Sequence, residues 1–267
     1  MIDDSELVRS FAAAVLNRVR SFPEVGAAFD DEASEERALR AWSAAEDAMI
    51  HVDRAFFVPN DYIQARDTYV ITPLPIGFNR AGDVTLSSPD IHAFAIFDGN
   101  YDVATAHTPF VPQALLDRVI TNLFGSERKR EIIGTEVNEQ LVRLAASNLD
   151  EFYRVKPNDS STFEWSIEQC DFGTYESGSM DFVHVGAMLQ PHQLNDAVKL
   201  LKPGGVLLTP IAGEEDQRVG SMYLFKKQAN GHLDKRMVLN DVCFVPVLDR
   251  VEEPEPARGA FTLHTSN

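Results

Sequence analysis

Cysteine is scarce in this sequence, which contains only Cys170 and Cys243 among 267 residues. Two cysteines do not make a disulfide framework, and their scarcity favours a reducing compartment. No stretch approaches the roughly 20 consecutive apolar residues that a membrane-spanning helix needs. The start of the chain, MIDDSELVRSF, is acidic and amphipathic, which is not typical of a signal peptide. We therefore expect a cytoplasmic protein with no membrane partner.

Positive charge is also in short supply. Lys and Arg total 24 against 41 Asp and Glu, which gives a formal net charge of −17. This balance argues against nucleic acid as a partner, because binding the phosphate backbone requires clustered cations. The seven histidines are scattered, and no Cys/His group has zinc-site spacing, so no metal site is expected. At 44% hydrophobic residues, the chain can bury a full core without disulfides.

Residues 130–149 form the most informative stretch of the chain. A short apolar strand around Ile132 and Ile133 is followed by Glu136 and then by an amphipathic helix whose start suits Asn138. In nucleotide-binding α/β sheets, an acid at the C-terminal tip of the second strand accepts the hydroxyls of a ribose. Glu136 is therefore a candidate cofactor ligand; the alternative is a solvated acid at a strand end.

A glycine-rich turn should precede such a unit, because only glycine lets the backbone approach a cofactor closely. The corresponding run, DVATAHTPF at residues 102–110, contains no glycine. Side chains occupy the positions where bare backbone is expected, and Pro109 also removes an N–H donor. The sequence thus combines a candidate ribose ligand with a first loop that is unsuited to a nucleoside.

Alternation of strands and helices predicts an α/β fold with an open, mainly parallel, Rossmann-like sheet flanked by helices. The predicted strands and helices that follow residue 100 are 101–122 (strand, loop and helix), 130–149 (strand and helix), 163–169, 181–185, 193–201 (helix) and 206–210. An antiparallel C-terminal pair is predicted at 221–226 and 242–247. Before the sheet, Pro89 is expected to open a helix, which places Thr85, Ser87 and Ser88 near a helix N-terminus that can hold a carboxyl group or, equally, serve only as a cap.

Two N-terminal helices are expected to form a helical lid. Phe11, Val15 and Val19 line one face of the first helix, at 5–22, and the second, at 37–51, is predicted to turn Leu39 and Met49 inward. We predict three regions: an N-terminal helical extension at 1–50, the α/β domain at 51–250, and a polar tail at 251–267.

Several segments, taken together and in order, resemble the protein-L-isoaspartate O-methyltransferase family, which has the S-adenosylmethionine-dependent methyltransferase fold. The matching segments are VDR with FVP at 52–59, PLPIG at 73–77, TLSSP at 85–89, Glu136, DFVHVGA at 181–187, LKPGG at 201–205 and FVPV at 244–247. The departure is the first loop, where the family resembles E/D-x-G-x-G-x-G-Y and this chain has none of the glycines.

The resemblance implies roles for individual residues. Thr85 and Ser87 match the segment that lies over the family's active site and contacts the substrate carboxylate. Glu136 matches the acid that binds the cofactor ribose. Asp171, in CDFG, is the nearest match to the aspartate that approaches the adenine amino group, and Ala104 and Ala106 stand in the cofactor loop.

The rebuilt loop favours an enzyme that no longer uses S-adenosylmethionine and requires no cofactor. His107 would lie where the sulfonium otherwise sits and act as a general acid or base, with Ser87 and Asp61 as further catalytic residues. Thr85, Ser88 and Asp67 would bind the substrate, a carboxyl-bearing small molecule or peptide. The reaction would be an elimination, ring closure or rearrangement, for example an aziridine-type closure with loss of an anionic leaving group. His107 is equally compatible with a capping or packing role.

Two alternatives remain open. One is an S-adenosylmethionine-dependent carboxyl O-methyltransferase acting on aspartyl or isoaspartyl groups, favoured by Glu136, by Asp171 and by the retained TLSSP segment. The other is a pseudoenzyme subunit that keeps the fold and pairs with an active second protein subunit. Fold alone does not choose among these functions.

Overall fold

The structure is a computed structural model that describes residues 4–22, 25, 32–58, 68–79, 82–98, 105–107, 111–124, 130–156, 163–170, 172–214 and 216–247. Its helices are α1 (Asp4–Arg20), α2 (Glu32–His51), α3 (Pro89–Asp98), α4 (Val111–Phe124), α5 (Glu139–Val155) and α6 (Leu194–Lys199). Short 3-10 helices cover Arg54–Phe57 and Phe172–Thr174. No helix in this part of the chain is sufficiently long and apolar to span a membrane.

The strands form two sheets. They are β1 (Leu74–Asn79), β2 (Gly82–Leu86), β3 (Thr105–His107), β4 (Arg130–Glu136), β5 (Phe163–Gln169), β6 (Met180–His184), β7 (Leu201–Ala212), β8 (Val219–Lys227) and β9 (Leu233–Cys243). β1 and β2 form an antiparallel pair. The other seven strands form one sheet in the order β5-β4-β3-β6-β7-β8-β9, parallel through β7 and antiparallel from β7 to β9. The predicted fold class is therefore confirmed.

The centre of the sheet is apolar on both faces because helices cover both sides of a parallel sheet. Along β6, Phe182 belongs to the core that contains α1–α5, whereas Val183 belongs to the core that contains α6. The strand order reverses at β3: β4 and then β5 lie on one side of it, whereas β6, which follows β5 in sequence, lies on the other side. The carboxyl ends of β3, β4 and β6 therefore meet at one edge, where ligands bind in open α/β sheets.

The N-terminal helices pack on the helices that flank this sheet. α1 contacts α3 and α2, and α2 contacts α4. Phe11, Val15 and Val19 are buried as predicted. Leu39, predicted to face inward, is instead 51% exposed, because the neighbouring Ala38 takes the inward position and one residue rotates a side chain by about 100° around a helix.

Candidate active site

Two of the predicted site residues, His107 and Glu136, lie on the neighbouring strands β3 and β4 at the carboxyl edge of the sheet. In β3, the backbone of His107 is in register with Ile133 of β4 and with Val183 of β6, and Ala106 with the residue before each. Glu136 lies three residues beyond Ile133 in β4, about 10 Å further along the strand direction. The side chain of His107 lies outside the described residues, so its predicted catalytic role remains a prediction.

Glu136 ends β4 at a place where its carboxylate is partly enclosed. The N–H of Asn138 donates to Oε1 at 2.9 Å, and the N–H of Val137 also donates to the carboxylate. Burial nevertheless raises the pKa of Glu136, and no cation among the described residues pairs with it. Asn138 in turn caps α5 by accepting from Gln140 N at 2.9 Å. The carboxylate is therefore half-buried, and it can accept further hydrogen bonds that no cation of the described residues takes up.

The start of α3 carries the predicted substrate-binding serines. Ser88 is buried, its hydroxyl donates to Asp90 Oδ1, and its carbonyl accepts from Ile91 N at 3.1 Å, so it acts as the cap of this helix. Ser87 is half-buried, and its carbonyl accepts from the Arg54 guanidinium at 3.1 Å. Thr85 lies in β2 opposite Pro75, and its side chain is not described. Of the two serines, Ser87 is partly exposed, whereas Ser88 is buried.

Four further predicted positions lie outside the described residues. They are Asp61, Asp67, Ala104 and Asp171. Among the described residues, no group of three or more His, Cys, Asp or Glu side chains is arranged to hold a metal ion.

The sequence analysis did not identify a buried polar cluster beneath α3. His92 of α3 and His184 at the end of β6 are 6% and 3% exposed and interact electrostatically, and Arg54 acts on His92 in the same way. Burial, then the charge of His184, then that of Arg54 lower the pKa of His92 to about 3. The lone histidine in the apolar strand DFVHV was the available signal, because a buried polar residue is more informative than an exposed one.

A small cavity lies between this cluster and the N-terminal helices. Its lining consists of Phe11, Met49, Val52, Arg54, Pro89, His92 and Leu115. Both ring nitrogens of His92, and Nε of Arg54, lack a hydrogen-bond partner among the described residues. A neutral imidazole tolerates such a place better than a charged one, which agrees with the lowered pKa of His92.

His92→Leu is expected to flatten the acid limb of the stability curve. Because the folded pKa of His92 lies below the usual 6.5, its stabilising contribution is complete above pH 6.5 and is lost as pH falls towards 3. One proton taken up only on unfolding gives a slope of about 1.4 kcal/mol per pH unit in that window. Urea unfolding at several pH values between about 7 and about 4 measures the free energy of unfolding and hence this slope.

His232→Leu is the matched control, because the His232 side chain is 69% exposed beside Asp234. It should leave the acid limb unchanged. An unaltered limb in His92→Leu would contradict a neutral, buried His92.

The sequence match and the structural matches to known proteins point to the same family. Residues 114–252 match the family described as protein-L-isoaspartate(D-aspartate) O-methyltransferase (PCMT). Among solved structures, one described as a protein-L-isoaspartate O-methyltransferase (beta-aspartate methyltransferase) from Plasmodium falciparum, in complex with S-adenosyl-L-homocysteine, matches with a TM-score of 0.61 and 21% identity, over 90% of this chain and 97% of that one.

A second structure, described as a protein-L-isoaspartate O-methyltransferase, matches with a TM-score of 0.58 and 16% identity. That match covers 78% of this chain and 62% of the other. At these identities the two structures establish the fold alone, whereas the sequence match spans more than half of the chain. On that match the chain belongs to the protein-L-isoaspartate(D-aspartate) O-methyltransferase family, an enzyme family with the methyltransferase fold.

Proposed function

We propose that the chain is an S-adenosylmethionine-dependent carboxyl O-methyltransferase acting on aspartyl or isoaspartyl groups of a protein or peptide. The observation that carries this proposal is Glu136, a half-buried carboxylate at the end of the second strand with no cation partner among the described residues. An ionised carboxylate is an acceptor only, and two vicinal ribose hydroxyls are the donors that it fits. The family match and the cofactor product bound by the Plasmodium falciparum protein support the same choice.

The described part of the site fits such a cofactor. Glu136 would accept the ribose hydroxyls, and the cofactor would supply an electrophilic methyl group to an acceptor carboxylate. The protein's contribution is then to orient that carboxylate and to exclude water. Ser87 lies two residues before α3 and is half-buried; its hydroxyl would donate to the acceptor carboxylate, whose negative charge the N-terminus of α3 would favour.

A second candidate function rests on the sequence of the first loop. Residues 102–110 contain no glycine; residues 105–107 of this run, expected in the loop, form β3, and the chain on either side of this strand lacks the residue type that lets a backbone approach a nucleoside closely. In that case the enzyme would use no cofactor and would catalyse elimination, ring closure or rearrangement of a carboxyl-bearing substrate. His107 would serve as the general acid or base, with Ser87 and Asp61 beside it. The comparisons do not support this second function.

Calorimetric titration of the full chain with S-adenosylmethionine and S-adenosylhomocysteine separates the two functions. Binding with a Kd in the micromolar range, about −8 kcal/mol, is expected for the methyltransferase. No heat up to millimolar ligand would overturn it and leave the cofactor-independent enzyme.

If binding is seen, methyl transfer to a peptide containing isoaspartate should be compared with transfer to its aspartyl counterpart. Ser87→Ala should lower turnover of the preferred peptide without changing Tm. Full activity in Ser87→Ala would remove this hydroxyl from the site. His107→Ala serves as the parallel test of the second candidate, since only that reading requires the imidazole.

A further inference from the structure

Arg54 is a buried cation whose hydrogen bonds connect segments distant in sequence. Arg54 is only 5% exposed to solvent. Nη1 donates to the carbonyls of Thr68 at 3.2 Å and Val70 at 3.0 Å. Nη2 donates to the carbonyls of Thr72 at 3.1 Å and Ser87 at 3.1 Å. One guanidinium therefore joins the 68–72 turn to the segment that begins α3.

The 3-10 helix that carries Arg54 is itself held in place by hydrogen bonds and packing. Asp53 caps the 3-10 helix that carries Arg54 by accepting from Ala55 N at 2.9 Å, and it also accepts from the Tyr69 hydroxyl at 2.9 Å. Phe57 of the same helix is buried, with its ring centroid 6.0 Å from that of Phe152 in α5. The guanidinium thus projects from a short helix that is anchored to the main core and to the turn it binds.

Ser87 is held from two sides. Arg54 binds its carbonyl, and the next residue, Ser88, is fixed by its hydrogen bond to Asp90 and by its cap on α3. The hydroxyl of Ser87 follows the position of that backbone. A displacement of this short segment would therefore move the hydroxyl away from an acceptor carboxylate, and small misplacements of reacting groups are costly in an active site.

A lysine at position 54 cannot reproduce this arrangement. A guanidinium presents five N–H donors in a planar fork, whereas an ammonium is a point charge with three donors. Four carbonyls spread over two segments need the fork. No carboxylate among the described residues hydrogen-bonds the guanidinium, and Asp90 acts on Arg54 only through its charge. The carbonyls are thus its principal partners.

We propose that Arg54 is a positioning residue for the acceptor side of the active site, holding the backbone of Ser87 in place without touching the acceptor itself. This inference rests on the proposed methyltransferase function for its catalytic consequence. Its structural content, that Arg54 determines where the start of α3 lies, is testable by itself.

Arg54→Lys separates positioning from a general structural role. The KM for the isoaspartyl peptide should rise about tenfold or more, because charge-assisted hydrogen bonds to Ser87 and the 68–72 turn are lost. The Kd for S-adenosylhomocysteine should stay within about twofold, since Glu136 lies on a different element. The backbone amides of residues 68–72 and 86–94 should exchange about tenfold faster in Arg54→Lys than in the wild-type chain, whereas the exchange rates in β7–β9 should not change.

Arg18→Ala is the matched control. Arg18 is another arginine near the start of α3, with Nε 3.7 Å from Asp90 Oδ2, but its side chain is 63% exposed. It should leave the KM and the exchange of both segments unchanged. Equal losses of peptide and cofactor affinity in Arg54→Lys, or wild-type exchange in both segments, would overturn the proposal.

A wild-type measurement covers the case in which Arg54→Lys does not fold. Hydrogen bonds from both Nη atoms should slow rotation about the Nε–Cζ bond, so that separate Nη proton signals appear in NMR spectra of arginine-labelled protein. Rapid averaging of these signals for every arginine would overturn the proposal. If the wild-type chain transfers no methyl group, the proposed function fails, and hydrogen exchange and NMR still decide the role of Arg54.

Discussion

Glu136→Gln is expected to weaken S-adenosylhomocysteine binding by about 10- to 100-fold, the range for losing charge-assisted hydrogen bonds to the two ribose hydroxyls. The same change should raise the Tm of the ligand-free protein. Burial raises the pKa of Glu136, so the folded chain holds this proton more tightly than the unfolded chain does. Any stability from the protonated form is complete below the usual pKa of 4.5 and is lost as pH rises through the higher folded value.

At any pH above the raised folded pKa, the ionised Glu136 costs stability, and the neutral amide of glutamine removes that cost. Opposite effects on affinity and stability are characteristic of a group retained for binding. The affinity of the wild-type chain for the ligand should also fall as pH is lowered through the raised pKa, because a protonated carboxyl accepts fewer hydrogen bonds. Isothermal titration and thermal unfolding, each at several pH values, measure the two effects.

Glu139→Gln provides the control three residues away. Glu139 is an exposed acid of α5 that pairs with Arg143 one helical turn later. It should alter neither the ligand affinity nor the pH dependence of binding. If Glu136→Gln bound the ligand as tightly as the wild-type chain, the carboxylate would not be a ribose ligand, and the proposed function would lose its main support.

The part of the fold that sequence predicted well is the part that local pattern determines. The unit at 130–149 was expected to be a buried strand, an acid and an amphipathic helix, and the structure has β4 ending at Glu136 and α5 beginning at Glu139. Ile132 and Ile133 are buried, as are Leu141 and Leu149 on one face of the helix. Periodicity and a capping residue at Asn138 were sufficient here because they act within one element.

The last strand was placed wrongly because its position is determined by pairing at long range. The predicted strand, 242–247, overlaps β9 (Leu233–Cys243) at only its first two residues. β9 lies at the edge of the sheet and is mostly exposed, so it has no clear alternation of apolar and polar residues. Asp241 has φ 52, and the register shifts between Gly220 and Met222 of the partner strand. Irregularities of this kind follow from the partner strand rather than from local sequence.

The candidate site was predictable only in pieces for the same reason. Glu136 could be identified from its strand, whereas the cluster of Arg54, His92 and His184 joins positions up to 130 residues apart, since 184 − 54 = 130. Nothing in the local pattern of VDR, SSPDIH or DFVHV shows that these side chains act on one another electrostatically. Their proximity is a property of the tertiary fold, which brings the start of α3, the end of β6 and the 3-10 helix near one another.

Phe152→Ala is expected to lower the free energy of unfolding by about 3–5 kcal/mol, the range for truncating a fully buried aromatic residue. Phe152 is 2% exposed near the end of α5. Its ring centroid lies 5.6 Å from that of Phe56 and 6.0 Å from that of Phe57, both in the 3-10 helix that carries Arg54. It also meets the ring of His51, the last residue of α2, edge to face at 6.0 Å.

The consequence should extend to the active site as well as to the core. Because Phe152 supports the 3-10 helix, the cavity left by alanine removes packing beneath Arg54 and hence beneath the segment that holds Ser87. Val155→Ala is the control in the same helix; its side chain is 47% exposed, and its effect should stay within about 0.5 kcal/mol. Urea unfolding followed by circular dichroism measures both variants. If Phe152→Ala lowered the free energy of unfolding by less than about 1 kcal/mol, the surrounding residues would have filled the space left by the ring. Contacts other than those of Phe152 would then hold α2 and the 3-10 helix in place.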